Sequence, residues 1–86
     1  HGFELEILDG ARETLRQASL VLIETYAFRL RDGAPRFHEM VAHMESLGFH
    51  CTDLIEPVWR AVDGALWQVD LLFEPLSGAA AQRKSW

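Results

Sequence analysis

The sequence predicts an α/β fold in the order helix, buried strand, helix and antiparallel terminal strand pair. Three observations carry that expectation. Apolar residues recur at helical spacing over 3–15 and again over 37–47. An unbroken aliphatic run, Leu20-Val21-Leu22-Ile23, lies between them. Asp63-Gly64, a good tight-turn dipeptide, separates two strand-like stretches.

The first helix is expected from about Gly2 to Gln17, with Phe3, Ile7, Leu8, Ala11 and Leu15 on one face. Glu4, Glu6 and Asp9 precede Arg12 and Arg16, an order that complements the helix dipole and lets Asp9 reach Arg12. Gly10 costs roughly 1 kcal/mol against alanine inside a helix. It marks either close backbone packing or a local weakness.

Ser19 to Phe28 reads as a strand covered on both faces, because its aliphatic part does not alternate with polar residues. Arg29 to Ala34 reads as a loop. Pro35 suits the first turn of a second helix, whose face is Phe37, Met40, Val41, Met44 and Leu47, and Gly48 is placed to cap its end. Phe49 to about Leu54 and Leu66 to Phe73 are the last two strands. Pro57 requires that the strand before the turn be broken, bulged or at an edge. Residues 1–75 thus form the domain portion and 76–86 a tail.

Composition narrows the function classes. The chain has 86 residues, room for one small domain. At 49% hydrophobic and 24% charged it is too apolar for a disordered segment. Its net charge of −5 and scattered basic residues disfavour a nucleic-acid partner. No aliphatic run is long enough to span a membrane. A single cysteine, Cys51, fits a reducing compartment, so a cytoplasmic protein is expected. The chain opens on His1, already inside patterned sequence, and reads as part of a longer protein.

Several constellations have plain explanations. His38 and His43 are five apart, one residue more than a helical zinc pair requires, so no metal site is expected. His50 and Cys51 are adjacent in a strand and point to opposite faces, one to solvent and one to the core. Trp59 and Trp67 flank the turn as a possible cross-strand pair. Met40 and Met44 belong to the core face of their helix.

Residues 2–10, G-F-E-L-E-I-L-D-G, resemble the G-x-E-x-x-x-L-x-G pattern of FkbM-type methyltransferases, through Gly2, Glu4, Leu8 and Gly10. Ile23-Glu24, Leu47-Gly48-Phe49 and Gln68-Val69-Asp70-Leu71-Leu72-Phe73 are similar to that family as well. The resemblance covers residues 1 to about 74. It implies the C-terminal part of a Rossmann-like class I methyltransferase fold, in which the last strand inserts antiparallel between its two neighbours. It also implies S-adenosylmethionine as cofactor and methylation of a hydroxyl on a sugar or natural product. The family's aspartate before the first glycine, its glycine-rich loop and its ribose-binding acid have no counterparts here. The cofactor would therefore be held mainly by a missing N-terminal half, and the 86-residue piece is expected to be inactive.

Ligands of open α/β sheets bind at the carboxyl ends of the strands. Two stretches fall there, His1 to Glu4 and Glu24 to Tyr26. Glu24 and His1 are the candidate bases, with Gly2, Glu4 and Tyr26 on the substrate or cofactor side. Each has a plainer reading. Glu24 marks where a strand emerges into water, Glu4 favours a helix N-terminus, and Tyr26 packs with its hydroxyl outward. Two rival functions stand beside methyl transfer: a non-catalytic α/β binding or scaffold module, and another Rossmann-like enzyme such as a glycosyltransferase or hydrolase. The unprotected run at 20–23 adds one more expectation: strand 20–26 would pair with an upstream strand in the intact fold, so the piece alone is expected to be partly unfolded or to self-associate through that strand.

Overall fold

The computed structural model describes residues 5–78 with 82 and 83, apart from the side chains of residues 6, 7 and 12. The elements are α1 (Leu5–Gly10), α2 (Arg12–Arg16), β1 (Val21–Tyr26), α3 (Phe37–Ser46), β2 (Phe49–Trp59) and β3 (Leu66–Pro75). The strand order is β1-β3-β2, with β3 antiparallel to both neighbours. It follows that β1 and β2 run in the same direction, and α3 is the crossover between them. The molecule is a small α/β domain built on a three-stranded antiparallel sheet.

The expected first helix is broken in two. The chain leaves helical geometry at Ala11 (ψ 13°), and the Ala11 N–H reaches only to the Leu8 carbonyl, a tighter turn than an α-helix makes. A Cβ on Gly10 would meet nothing within 4 Å, so close packing does not explain this glycine. It is a local weakness, and the helix stops there. Leu8 is buried and Leu15 is packed at the core margin, as the periodicity requires. Phe3 and the side chains of Ile7 and Arg12 lie outside the described part. Asp9 meets His43, 3.0 Å from Oδ1 to Nε2, which ties α1 to α3.

α3 begins two residues after Pro35, later than the first-turn placement expected. Arg36 is its N-cap, and the Arg36 N–H donates to Glu39 Oε1 at 2.8 Å. Arg29 donates to the Ala34 carbonyl (2.7 Å) and pairs with Glu39 (2.9 Å), while Arg36 Nε donates to the Ala27 carbonyl (2.6 Å). These contacts clamp the connection from β1 to α3. At the other end Gly48 takes a φ of +93° and stops the helix. Met40 and Met44 are fully buried on the sheet-facing side.

The core is one layer deep. Leu8, Met40 and Met44 from the helices meet Ile23, Phe49, Val69, Leu71 and Phe73 from the sheet. Thr25 is buried among them, and its hydroxyl donates to the Val69 carbonyl at 2.7 Å. The molecule measures only 15 Å through its thinnest dimension. The expectation that β1 is covered on both faces is therefore corrected. Its burial alternates, with Ile23 and Thr25 inside but Leu20 and Leu22 59% and 56% exposed. The aliphatic run reported apolarity correctly, but among the described residues no layer covers its second face.

β2 and β3 are the expected antiparallel pair, and both are longer than their sequence patterns. β2 continues through Pro57 by bulging. Thr52 is extra between Cys51 and Asp53, Glu56 and Pro57 together stand opposite Val69 alone between Ile55 and Val58, and Trp67 of β3 is extra between Val58 and Trp59. Glu56 adopts a φ of +50° at the second irregularity. Pro57 is tolerated because β2 is an edge strand. The turn is wider than the expected two-residue hairpin. Residues 61–64 form a loop closed by the Arg60 N–H on the Ala65 carbonyl. Of Asp63 and Gly64, only Gly64 takes a positive φ (+74°). Asp63 Oδ1 accepts instead from the Ala65 N–H and from Arg60 Nε, both at 3.0 Å.

Candidate functional site

Parallel directions for β1 and β2 bring their carboxyl ends to one end of the sheet. There the connection after Tyr26 meets the loop after Trp59. Arg60 lies over the Phe28 ring, 4.1 Å from its centroid, which is cation–π range. Trp67, at the start of β3, contacts Phe28 at 5.8 Å and Tyr26 edge-on at 6.0 Å. Tyr26, Trp67, Phe28 and Arg60 thus form a continuous chain of contacts across this end.

Glu24 and Tyr26 are two apart in β1 and project from the same face. The Tyr26 hydroxyl donates to Glu24 Oε2 at 2.6 Å. That bond lowers the Glu24 pKa below its usual range, because it stabilises the ionised carboxylate. The same bond raises the Tyr26 pKa, so the phenol keeps its proton at neutral pH. Asp70 stands opposite Glu24 on β3, and Gln68 stands opposite Tyr26. The pair offers an ionised carboxylate held in place by a protonated phenol, an arrangement suited to accepting a hydrogen bond from a ligand hydroxyl.

Of the residues singled out from sequence, the structure brings Glu24 and Tyr26 together. His1, Gly2 and Glu4 lie outside the described residues. The expected contact between Trp59 and Trp67 is not made: Trp67 turns to Tyr26 and Phe28, and Trp59 is 61% exposed beside Leu66. Sequence reading missed Phe28, Arg60 and Trp67. Their separations of 32 and 39 residues from Phe28 give no local signal, and only the return of β3 between β1 and β2 makes them neighbours.

Elsewhere the polar groups serve structure. His43 is engaged with Asp9, and the Phe37 and His38 rings meet edge-on. Cys51 packs half-buried against the core, and burial raises its thiol pKa, which makes it a poor nucleophile. Arg60 holds the Asp63 carboxyl down to about 2. Among the described residues no group of three or more histidine, cysteine or acidic side chains is placed to hold a metal ion. No helix among them is long and apolar enough to cross a membrane.

The pair makes a testable pH statement. Removing the phenol in Tyr26→Phe should move the Glu24 carboxyl pKa back up toward its ordinary value of 4.5. A folded pKa held low contributes stability above the unfolded value, and that contribution fades as pH falls through the folded one. Wild type should therefore gain on the variant at pH 6 and lose that gain at strongly acid pH. Carbon-detected NMR titration of Glu24 reads the shift directly; an unmoved midpoint would remove Tyr26 as its cause.

No family model, curated protein or solved structure matches this chain.

Proposed function

We propose that this chain forms the C-terminal part of a Rossmann-like methyltransferase domain that uses S-adenosylmethionine and methylates a hydroxyl on a sugar or natural product. The observation that carries this reading is the sheet topology. β3 lies antiparallel between two strands that run parallel to each other and are joined by a helical crossover. That is the arrangement which the resemblance to FkbM-type methyltransferases implies for the end of the fold.

When bound, the cofactor supplies an electrophilic methyl group on a sulfonium. The residues of this chain lie on the acceptor side. On this reading the cofactor is held mainly by residues upstream of this chain, which would carry the glycine-rich turn and the ribose-binding acid. Glu24 takes the proton of the acceptor hydroxyl. Tyr26 fixes the orientation of Glu24 through the 2.6 Å hydrogen bond. Trp67 and Phe28 provide apolar ring surface beside the pair, which suits the faces of a sugar or an aglycone.

Isothermal titration with S-adenosylmethionine tests the reading. The 86-residue chain should show no saturable binding. A product extended upstream by about 120 residues, four α/β units of about 30 each, should bind one equivalent and pass a labelled methyl group to a hydroxyl acceptor. Micromolar binding by the short chain, or none by the long one, would overturn it. The uncovered sheet face favours a second reading, a non-catalytic binding module. Failure of the extended product to bind, together with a stably folded 86-residue chain, would select that alternative.

A further inference from the structure

Strict alternation would turn Trp67 of β3 to the core side, with Val69, Leu71 and Phe73. The bulge at Trp67 breaks that alternation. Its indole instead meets Tyr26, whose side chain lies on the face away from the core. Gln68 and Asp70 sit on that same face of β3, out of step with the buried Val69 and Leu71. Both are half-buried, Gln68 opposite Tyr26 and Asp70 opposite Glu24. This end of the face thus sets an indole beside an amide and a carboxylate. Among the described residues, neither the indole N–H nor the side chains of Gln68 and Asp70 have a hydrogen-bond partner, and no buried side-chain nitrogen or oxygen is left unpaired. The polar atoms of all three therefore reach the surface. An apolar layer packed over them would leave a carboxylate and an amide dry and unpaired, which is unfavourable. This part of the face suits a polar ligand, whatever else the sheet pairs with.

We propose that Trp67, Gln68 and Asp70 form a binding site for a neutral sugar. A sugar ring has an apolar C–H face and a rim of hydroxyls that both donate and accept. The indole supplies a flat apolar surface for the first. Asp70 accepts from one hydroxyl, while the Gln68 amide donates to a second and accepts from a third. A hydrogen bond to an ionised carboxylate is the stronger kind, so Asp70 fixes the orientation of the ring. The Gln68 and Asp70 Cα atoms are about 7 Å apart, from a rise of about 3.4 Å per residue, so one ring can bond to both side chains. Two other ligand classes fit less well. A planar phenol would stack on the indole but leave the amide and carboxylate short of partners. An organic cation would enter beside Arg60, whose guanidinium already lies 4.1 Å over the Phe28 ring next to Trp67. A neutral polyol uses every group.

The site needs no cofactor, so this inference does not rest on the methyl-transfer reading and holds equally for a non-catalytic module. NMR mapping with methyl glucoside, methyl mannoside and methyl galactoside tests it. The 86-residue chain and the product extended upstream both contain the three residues, and either serves. At least one glycoside should shift the Trp67 indole, the Gln68 side-chain amide and the Asp70 backbone signals saturably, with a millimolar Kd. Asp70→Ala removes the charged acceptor and should weaken binding by about tenfold or more. Gln68→Ala removes only neutral hydrogen bonds and should weaken it less. Trp59→Ala deletes an exposed indole of β2 and should leave binding unchanged. No localised shift with any of the three glycosides, full binding by Asp70→Ala, loss of binding in Trp59→Ala, or capture of tetramethylammonium or phenol in place of the glycosides would each overturn the proposal. The S-adenosylmethionine titration reports on the other reading separately. Glycoside binding without cofactor binding leaves this site standing and removes methyl transfer.

Discussion

Phe73→Ala is expected to bring the chain to the edge of unfolding at room temperature. Phe73 is fully buried in the central strand, opposite Val21 of β1 and Cys51 of β2, so its ring fills the layer where both outer strands meet the helices. Truncating a buried phenylalanine costs about 3–5 kcal/mol, through lost transfer energy and the cavity left behind. A chain of this length holds about 4–13 kcal/mol, at 0.05–0.15 kcal/mol per residue. One uncovered sheet face puts this molecule toward the lower figure, because leucines such as Leu22 remain in water. Leu54→Ala is the matched control. Leu54 stands opposite the neighbouring core residue Leu71 but is 62% exposed, and should change stability by no more than about 0.5 kcal/mol. Urea unfolding followed by circular dichroism compares the two. Equal, small losses would mean that the layer beneath α3 is not the core.

On the proposed methyl-transfer reading, Glu24→Gln in the product extended upstream should lower turnover while leaving the melting temperature almost unchanged. A general base contributes on the order of 10²- to 10⁴-fold. The hydrogen bond from Tyr26 makes Glu24 a weaker base than a free carboxylate, so the lower end of that range is expected. Stability should persist because the glutamine carbonyl still accepts from the Tyr26 hydroxyl, and because replacing a carboxylate opposite Asp70 relieves a like-charge pair. Steady-state kinetics with an authentic acceptor, paired with thermal melts, decides the role. Full activity would remove Glu24 from the chemistry. A parallel loss of activity and stability would make it a structural residue.

Glu24 and Tyr26 were legible as separate candidates because they lie at the carboxyl end of a strand; their shared face follows from the strand's alternation. Their aromatic surroundings were not legible. Arg60 reaches Phe28, and Trp67 turns from Trp59 to Tyr26, only because β3 returns between β1 and β2. The α3 face was readable to the residue: Met40 and Met44 are at the helical spacing of a single stripe, and both are buried. Gly48 was readable for a similarly local reason, since the positive φ of a helix end is open to glycine at little steric cost.

Two sequence expectations gave way to competing local effects. The break at Ala11 follows from the low helix propensity of Gly10 with no packing contact to offset it, and only the open space around Gly10 settles which of its two readings holds. Asp63-Gly64 carries the dipeptide signal of a tight hairpin. The Arg60 guanidinium claims the Asp63 side chain, and the loop widens. The sequence by itself determined the kind and order of the elements from β1 onward, because hydrophobic period, turn residues and caps act over a few positions. Only the tertiary structure decided that β1, among the described residues, is an edge strand with one bare face, that Pro57 sits inside a bulged strand, and which side chains gather at the carboxyl ends. Those facts depend on contacts between segments far apart in the chain, and no local pattern encodes which partner a strand finds.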